Sequence, residues 1–225
     1  MTNRTWIRFL PSFLKTYVEG SLPLQRSITN SSWLFFDQVT RIGGGFLIGI
    51  WIARYLGPAQ LGLLNYSIAF VSLFSAISSL GLSGIVVREL VREPDKREEI
   101  LASAFVMLVL AGVMTFLLAL AAIFFLRPAD ILSQLLVALV ALGMILFQSF
   151  TVIEYWFTSQ VQSKYTVYAR DASFLVLAMV KIVLLLSSAP LIAFALAMMA
   201  EMVLGALLLL VIYKAKGLSL HLGKA

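Results

Sequence analysis

Six long apolar runs, separated by short polar or turn-forming segments, dominate the sequence. A helix needs about 20 mainly apolar residues to cross a bilayer, and each run reaches that length. None of the runs alternates apolar and polar residues as the strands of a membrane barrel do. The pattern therefore predicts an all-α polytopic membrane protein with six transmembrane helices. The predicted spans are 31–53, 61–87, 100–126, 131–157, 168–188 and 190–213.

The segments that separate or flank these runs contain helix breakers and charges. Leu56-Gly57-Pro58 lies between the first two runs. Because glycine and proline interrupt helices, this segment is expected to separate the two spans. The runs make up one predicted transmembrane bundle, residues 31–213. A basic segment, 1–30, precedes the bundle and is predicted either to lie on the cytoplasmic membrane surface or to be a disordered tail. Residues 214–225 are predicted to be a cytoplasmic tail.

Basic residues outside the predicted spans fall mainly on one side of the membrane. Alternate loops, beginning with residues 1–30, carry twelve Lys and Arg, whereas the opposite loops carry only Arg54 and Arg127. Because basic loops are retained in the cytoplasm, both termini are predicted to be cytoplasmic. The net charge of +6 is thus explained by topology and does not indicate a nucleic-acid partner.

The composition excludes several classes of function. The chain is 61% hydrophobic and 12% charged, with a mean hydropathy of +0.98, whereas soluble domains contain about 25% charged residues. It has no cysteine and a single histidine, which argues against a zinc site. It also lacks a Walker-type phosphate loop and the clustered aspartates of a magnesium-dependent phosphotransferase. We therefore expect no metal, no cofactor and no enzymatic activity.

Ionisable side chains inside the spans are the main candidates for function. A charge at the bilayer centre costs at least about 2.5 kcal/mol, so such residues usually face a cavity or a partner. The second and third spans carry none. The others carry Asp37, Arg41, Glu154, Arg170, Asp171, Lys181 and Glu201.

The basic residues among them are candidates for binding an anionic substrate. Asp37 and Arg41 are four residues apart and therefore lie on one helical face. They would either neutralise one another near the cytoplasmic interface, or Arg41 would bind a phosphate while Asp37 fixes its rotamer. Lys181 lies deeper, among apolar neighbours, and is the strongest candidate for a functional cation. Arg170 is close enough to the end of its span to extend towards water.

Glu154 and Glu201 are candidates for coupling transport to an ion or a proton, because a buried carboxylate can bind and release one. Alternatively each is a counterion, and Glu201 would then pair with Lys181 across adjacent helices. The glycines at 43–45 and Gly49 would allow close helix packing or provide a hinge.

Two stretches of the sequence resemble a known family. They are ARYLGP at 53–58, followed by Gly62 and Tyr66, and GLSGIVVRE at 81–89. They are similar to the start of the polysaccharide-export and O-antigen flippase family (Wzx-type), within the multidrug, oligosaccharidyl-lipid and polysaccharide exporter superfamily. The resemblance is specific here, whereas the later spans match mainly by length and hydropathy.

The resemblance implies a two-lobed transporter in which each lobe is a six-helix bundle and the substrate lies between the lobes. This chain would be one lobe, the N-terminal half, completed by a C-terminal half or a second chain. The implied substrate is an undecaprenyl-pyrophosphate-linked oligosaccharide, moved from the cytoplasmic to the periplasmic leaflet of the bacterial inner membrane. Glycosyltransferases and a polymerase of lipopolysaccharide assembly would be partners, and Arg88 would add positive charge at the mouth of the cavity.

Two other functions remain open at this point. A cation-coupled drug or ion antiporter of the same superfamily would have similar spans. A non-transporting half would serve as a scaffold in a polysaccharide-assembly complex and use its glycine-rich helix for contacts.

Overall fold

The computed structural model describes the backbone of residues 22–79 and 81–217, and the side chains of 28–74 and 81–217. These residues form α-helices and one short 3-10 turn at Pro94–Lys96, with no strand among them. Residues 1–21 of the predicted basic segment and 218–225 of the predicted tail lie outside this described part. The helices are α1 (Leu22–Ser79), α2 (Leu82–Arg92), α3 (Arg97–Leu126), α4 (Ile131–Ser159), α5 (Lys164–Leu186) and α6 (Leu191–Ala215).

Four helical segments are long and apolar enough to cross a membrane. They are Ile28–Phe74 within α1, Pro94–Leu126, Ile131–Ser159 and Leu191–Ala215. The chain is therefore an all-α polytopic membrane protein, as the sequence predicts. α5 has 23 residues but differs from these four because it is interrupted by several charges.

A kink divides α1 into two arms. Gly57 has φ 69° and ψ 174°, outside the helical region, and Pro58 follows it. Unbroken, the 58 residues of α1 would extend far beyond a bilayer core of about 30 Å, because a helix rises 1.5 Å per residue. The arms, 22–56 and 58–79, are each of membrane-crossing length, and the kink lies at the predicted Leu56-Gly57-Pro58 breaker.

The second predicted span, 61–87, differs from the structure at its end. α1 ends at Ser79, Gly81 adopts a left-handed conformation with φ 62°, and α2 begins at Leu82. The sequence stays apolar beyond this break, and Val86 and Leu90 of α2 are buried in the core. Hydropathy alone therefore extended the span through a turn that only backbone geometry reveals.

α4 lies at the centre of the bundle and packs against α1, α2, α3 and α6, while α5 packs mainly against α6 and α1. Contacts at the two ends of the bundle bring most of the basic loops together at one end and place Arg127 at the other, which is the grouping predicted from the loop charges. At one end, called the basic end here, Lys216 bonds to Tyr165 and Arg97 lies over Trp156. At the opposite end, Arg127 lies over the Tyr66 ring, 4.4 Å from its centroid.

Candidate functional site

Seven ionisable side chains meet where α1, α4, α5 and α6 come together. Ion pairs and charge interactions link them, and we refer to them as the charged cluster. All the predicted acidic and basic site residues except Arg88 belong to it. Its members are Asp37, Arg41, Glu154, Arg170, Asp171, Lys181 and Glu201.

In one part of the cluster, Glu201 of α6 bridges two cations from different helices. Lys181 Nζ of α5 donates to Glu201 Oε2 at 2.6 Å. Arg41 Nη2 of α1 lies 3.9 Å from Glu201 Oε1. The Lys181 and Glu201 side chains are only 13% and 16% exposed, whereas that of Arg41 is 37% exposed. Lys181 is therefore held tightly, and Arg41 is held loosely with its guanidinium partly open.

In another part of the cluster, Arg170 of α5 pairs with Glu154 of α4. Arg170 Nε lies 3.6 Å from Glu154 Oε1, which is an ion pair longer than a hydrogen bond. Arg170 Cζ also lies 5.9 Å from the centroid of the Phe147 ring. The Arg170 side chain is 32% exposed, so this ion pair gives its charge a partner within the cluster and leaves its extension towards water a prediction.

Asp37 faces Asp171 of α5 instead of forming the predicted pair with Arg41. The two carboxyl groups interact through their charges and side chains. Asp37 is 5% exposed. The Oδ1 atom of each aspartate is buried with no well-formed hydrogen bond to the residues described. Arg41 turns to Glu201 because α6 offers a carboxylate that no local spacing rule could anticipate.

The close approach of α1 to α5 brings the two helices' charges together. A Cβ atom added to Gly44 would lie 2.8 Å from Phe174 Cε1. Arg41 Cζ lies 5.9 Å from the centroid of the same Phe174 ring. Among the glycines predicted to allow close packing, Gly44 is thus the one that makes this close approach possible, since a Cβ atom at Gly43, Gly45 or Gly49 would meet nothing within 4 Å.

A cavity of about 190 Å³ lies beside the charged cluster, between the two arms of α1 and helices α5 and α6. Gly45 and Gly49 form part of its wall, and Asn65, Phe174 and Lys181 also line it. Its lining is mainly apolar, and Asn65 and Lys181 are the two polar side chains in it. The volume is large enough for several waters, since a water molecule occupies about 30 Å³ in the liquid, and these two side chains are the groups that could bind them. Lys181 therefore contacts a cavity while remaining paired with Glu201.

Arg88 lies away from the charged cluster. It is on α2, which packs against α3 and α4, and its side chain is 73% exposed. Its Nε atom lies 3.4 Å from Glu89 Oε1 on the same helix. The structure thus separates Arg88 from the other predicted substrate-binding residues, because the turn at Gly81 takes α2 out of the line of α1.

Arg170 and Asp171 are among the ionisable side chains of the predicted spans, but neither was assigned a role in binding or coupling. The available signal was their density, since α5 carries both of them and Lys181 within one apolar helix. Across the described ranges, no group of three or more His, Cys, Asp or Glu is arranged to hold a metal ion.

The sequence matches the polysaccharide biosynthesis protein family over residues 27–223. This family is associated with transporters rather than with enzymes. Comparisons with curated proteins and with solved structures found no match. Because the family match covers most of the chain, the protein belongs to the polysaccharide biosynthesis protein family.

Proposed function

We propose that the protein moves an undecaprenyl-pyrophosphate-linked oligosaccharide from the cytoplasmic to the periplasmic leaflet of the bacterial inner membrane by alternating access. The family supports a flippase-like role in general. The observation that carries the specific proposal is the charged cluster beside a cavity, inside helices of membrane length. A sugar and pyrophosphate head group cannot cross hydrocarbon unaided, so it needs a polar, hydrated compartment.

Arg41, Lys181 and Glu201 are the proposed anion-binding group. Within this group two cations share one carboxylate. The whole charged cluster has four acids and three bases, so it carries a net positive charge only when two of the acids, such as Asp37 and Asp171, are both protonated. Arg41 is the mobile member, because its contact with Glu201 is long and its side chain is more than one-third exposed. A guanidinium can hold two phosphate oxygens at once, so a pyrophosphate would replace Glu201 as the partner of Arg41.

The remaining acids are proposed to couple this movement to protons. Asp37 and Asp171 face one another with buried oxygens, and two carboxylates in one site repel unless a proton or a cation neutralises them. The Glu154 carboxyl group interacts electrostatically with Asp37 and Arg41 as well as with Arg170. A change of protonation at the aspartates would therefore alter the field at Arg41.

In this proposal the site is completed by a second lobe, in the same protein or in another chain, as in a two-lobed exporter. Alternating exposure then comes from movement of one bundle against the other. Glycosyltransferases would supply the lipid-linked substrate on the cytoplasmic side, and a polymerase would consume it on the other. Both termini of the bundle would be cytoplasmic, in agreement with the basic loops.

Replacement of the two cations tests this assignment. In cells that depend on the protein for surface polysaccharide, Arg41→Ala and Lys181→Ala should abolish the polysaccharide while the protein stays in the membrane at its normal level. Arg88→Ala is the matched control, because it removes an exposed arginine outside the cluster. Normal polysaccharide in both cluster variants, at normal protein level, would refute the site.

A charge exchange separates binding from folding. Lys181→Glu combined with Glu201→Lys keeps a paired acid and base across α5 and α6 but moves the cation from the cavity wall to α6. We expect the double variant to be as stable as the wild type and still inactive. Recovery of wild-type export would show that the pair has only a structural role.

The second candidate is a cation-coupled antiporter for drugs or ions, and the facing Asp37 and Asp171 carboxylates favour it. Such a protein would exchange its substrate for protons and leave polysaccharide unchanged. The two functions separate in membrane vesicles. Proton-dependent efflux of a cationic dye that Asp37→Asn abolishes, without a polysaccharide defect in cells, would favour the antiporter.

A further inference from the structure

Tyr165 lies at the basic end of the bundle, in the first turn of α5, and is the meeting point of two lysines. Lys216 Nζ, just beyond α6, donates to Tyr165 Oη at 2.7 Å and lies 4.3 Å from the ring centroid. Lys164 Nζ lies 4.9 Å from the same centroid. Two ammonium groups from different helices thus converge on one phenol.

The position of this phenol is fixed from beneath by aromatic packing. The Tyr165 ring lies 5.3 Å from that of Phe157, which in turn makes an edge contact with Tyr213 at 6.4 Å. Phe157 and Tyr213 are each 1% exposed. The hydroxyl group is therefore presented by a rigid base, while the lysine side chains approach it from the surface.

The positive charge gathered here has no acidic partner in the described part of the chain. No Asp or Glu among residues 28–74 and 81–217 lies within 4.0 Å of either lysine ammonium. Because both ammonium groups lie close to one ring, they are within about a Debye length of each other and repel. Interaction with the π face of the ring offsets only part of this repulsion. An anion between the lysines would remove it.

The position of Tyr165 and the two lysines relative to the membrane indicates which kind of anion they bind. Tyr165 lies beside the end of α6, which is long and apolar enough to cross a membrane. Tyrosines at such helix ends lie at the level of the lipid headgroups. The side of the membrane with most basic residues faces the leaflet rich in anionic lipid. A lipid phosphate at this level would accept hydrogen bonds from both ammonium groups. The Tyr165 hydroxyl oxygen accepts a hydrogen bond from Lys216, so its own proton would be free to form one more hydrogen bond to the phosphate.

We propose that Lys164, Tyr165 and Lys216 form a binding site for the phosphate of an anionic membrane lipid. The lipid joins the start of α5 to the end of α6 on the cytoplasmic face. The site is separate from the charged cluster and does not depend on which substrate the protein transports.

Lipid binding to the purified full chain tests this site. Native mass spectrometry in a neutral detergent compares dioleoyl phosphatidylglycerol with dioleoyl phosphatidylcholine, which has the same acyl chains but no net charge. We expect preferential retention of phosphatidylglycerol by the wild type. Lys164→Gln and Lys216→Gln should each weaken its affinity about fivefold, as expected for one lysine near an anionic surface.

Lys214→Gln is the matched control. Lys214 is exposed near the same end of α6, but it is not among the charged groups that act on Tyr165. This variant should retain the wild-type affinity for phosphatidylglycerol. Equal weakening by all three substitutions would show a diffuse surface charge and overturn the site.

Two further arms identify the ligand and exclude misfolding. Inorganic phosphate at the same concentration should not displace the lipid, and full displacement would show a site for free anions instead. Tyr165→Phe keeps the ring and should lower the affinity with an unchanged thermal unfolding midpoint. Unchanged affinity in Tyr165→Phe and in both Gln variants would refute the proposal.

Discussion

The contact between Gly44 and Phe174 determines how closely α1 approaches α5, and a single methyl group tests it. A Cβ atom at position 44 would lie 2.8 Å from Phe174 Cε1 and 2.9 Å from Cζ. Carbon atoms pack at about 3.5–4.0 Å, so the helices or the ring would have to separate by roughly 0.7 Å or more. Phe174 is 8% exposed and is confined by its neighbours.

Gly44→Ala should therefore be less stable than an alanine variant at a glycine without such a contact. Inserting a methyl group into a packed interface costs about 1–3 kcal/mol. The matched control is Gly43→Ala, because a Cβ atom at Gly43 meets nothing within 4 Å. Both variants gain the same helix propensity, about 1 kcal/mol. The difference between them therefore isolates the clash with Phe174 and should equal the packing cost.

The assay is reversible unfolding of the purified protein in mixed micelles with increasing fractions of a denaturing detergent. We expect Gly44→Ala to unfold at a lower denaturing fraction than Gly43→Ala. Adding Phe174→Leu to Gly44→Ala should restore part of the loss, because the ring atoms that clash are removed. Equal midpoints for the two alanine variants would refute the close approach of α1 to α5 and, with it, the placement of Arg41 beside Phe174.

Three other predictions use the same unfolding assay. Gly57→Ala should lower stability by about 1–2 kcal/mol, because a side chain is strained at a φ of 69°; an unchanged midpoint would contradict the kink. Hydrogen bonds from the Ser133 side chain and backbone lower the pKa of Asp130. The ionised Asp130 therefore stabilises the fold fully at any pH above the pKa of Asp130 in the unfolded chain. This stabilisation is lost as the pH falls through the lowered pKa of the folded protein. Asp130→Asn should therefore flatten the decline in stability below about pH 4, and an unaltered decline would exclude this origin. Asn30→Ala should cost about 0.5–1.5 kcal/mol per lost hydrogen bond to Ser163, and wild-type stability would argue against that contact.

The helices were largely predictable because their signals are local. Runs of apolar residues determine which segments enter the membrane, and Gly57-Pro58 marks the kink in α1 directly. The break at Gly81 was missed for an equally physical reason. α2 buries Val86 and Leu90 in the core, so its hydropathy continues that of α1 across the turn.

The sequence singles out the charges that meet in the cluster but not most of their pairings, and their role in binding stays a prediction. Charges inside apolar helices are few, so Arg41, Lys181 and Glu201 stand out from the sequence alone. The Lys181–Glu201 pair is one of the two arrangements that the sequence leaves open for Glu201. The exchange of Asp37 for Glu201 as the partner of Arg41 depends on which helices are neighbours. Helix adjacency is a property of the packed bundle, and spacing along one helix carries no information about it.

The first arm of α1 is fastened to the two ends of α5. Near its start, Asn30 exchanges hydrogen bonds with Ser163, which immediately precedes α5, at 2.7 and 3.0 Å. Near its end, the Tyr55 hydroxyl donates to the Ala189 carbonyl, just beyond α5, at 2.9 Å. Sliding of the arm along α5 would break the attachments at both ends together. Between them, the Gly44–Phe174 contact and the Arg41–Glu201 ion pair hold the middle of the arm against α5 and α6. The arm and α5 are therefore expected to move as one unit, so that opening of the cavity would come from movement of other helices against this pair.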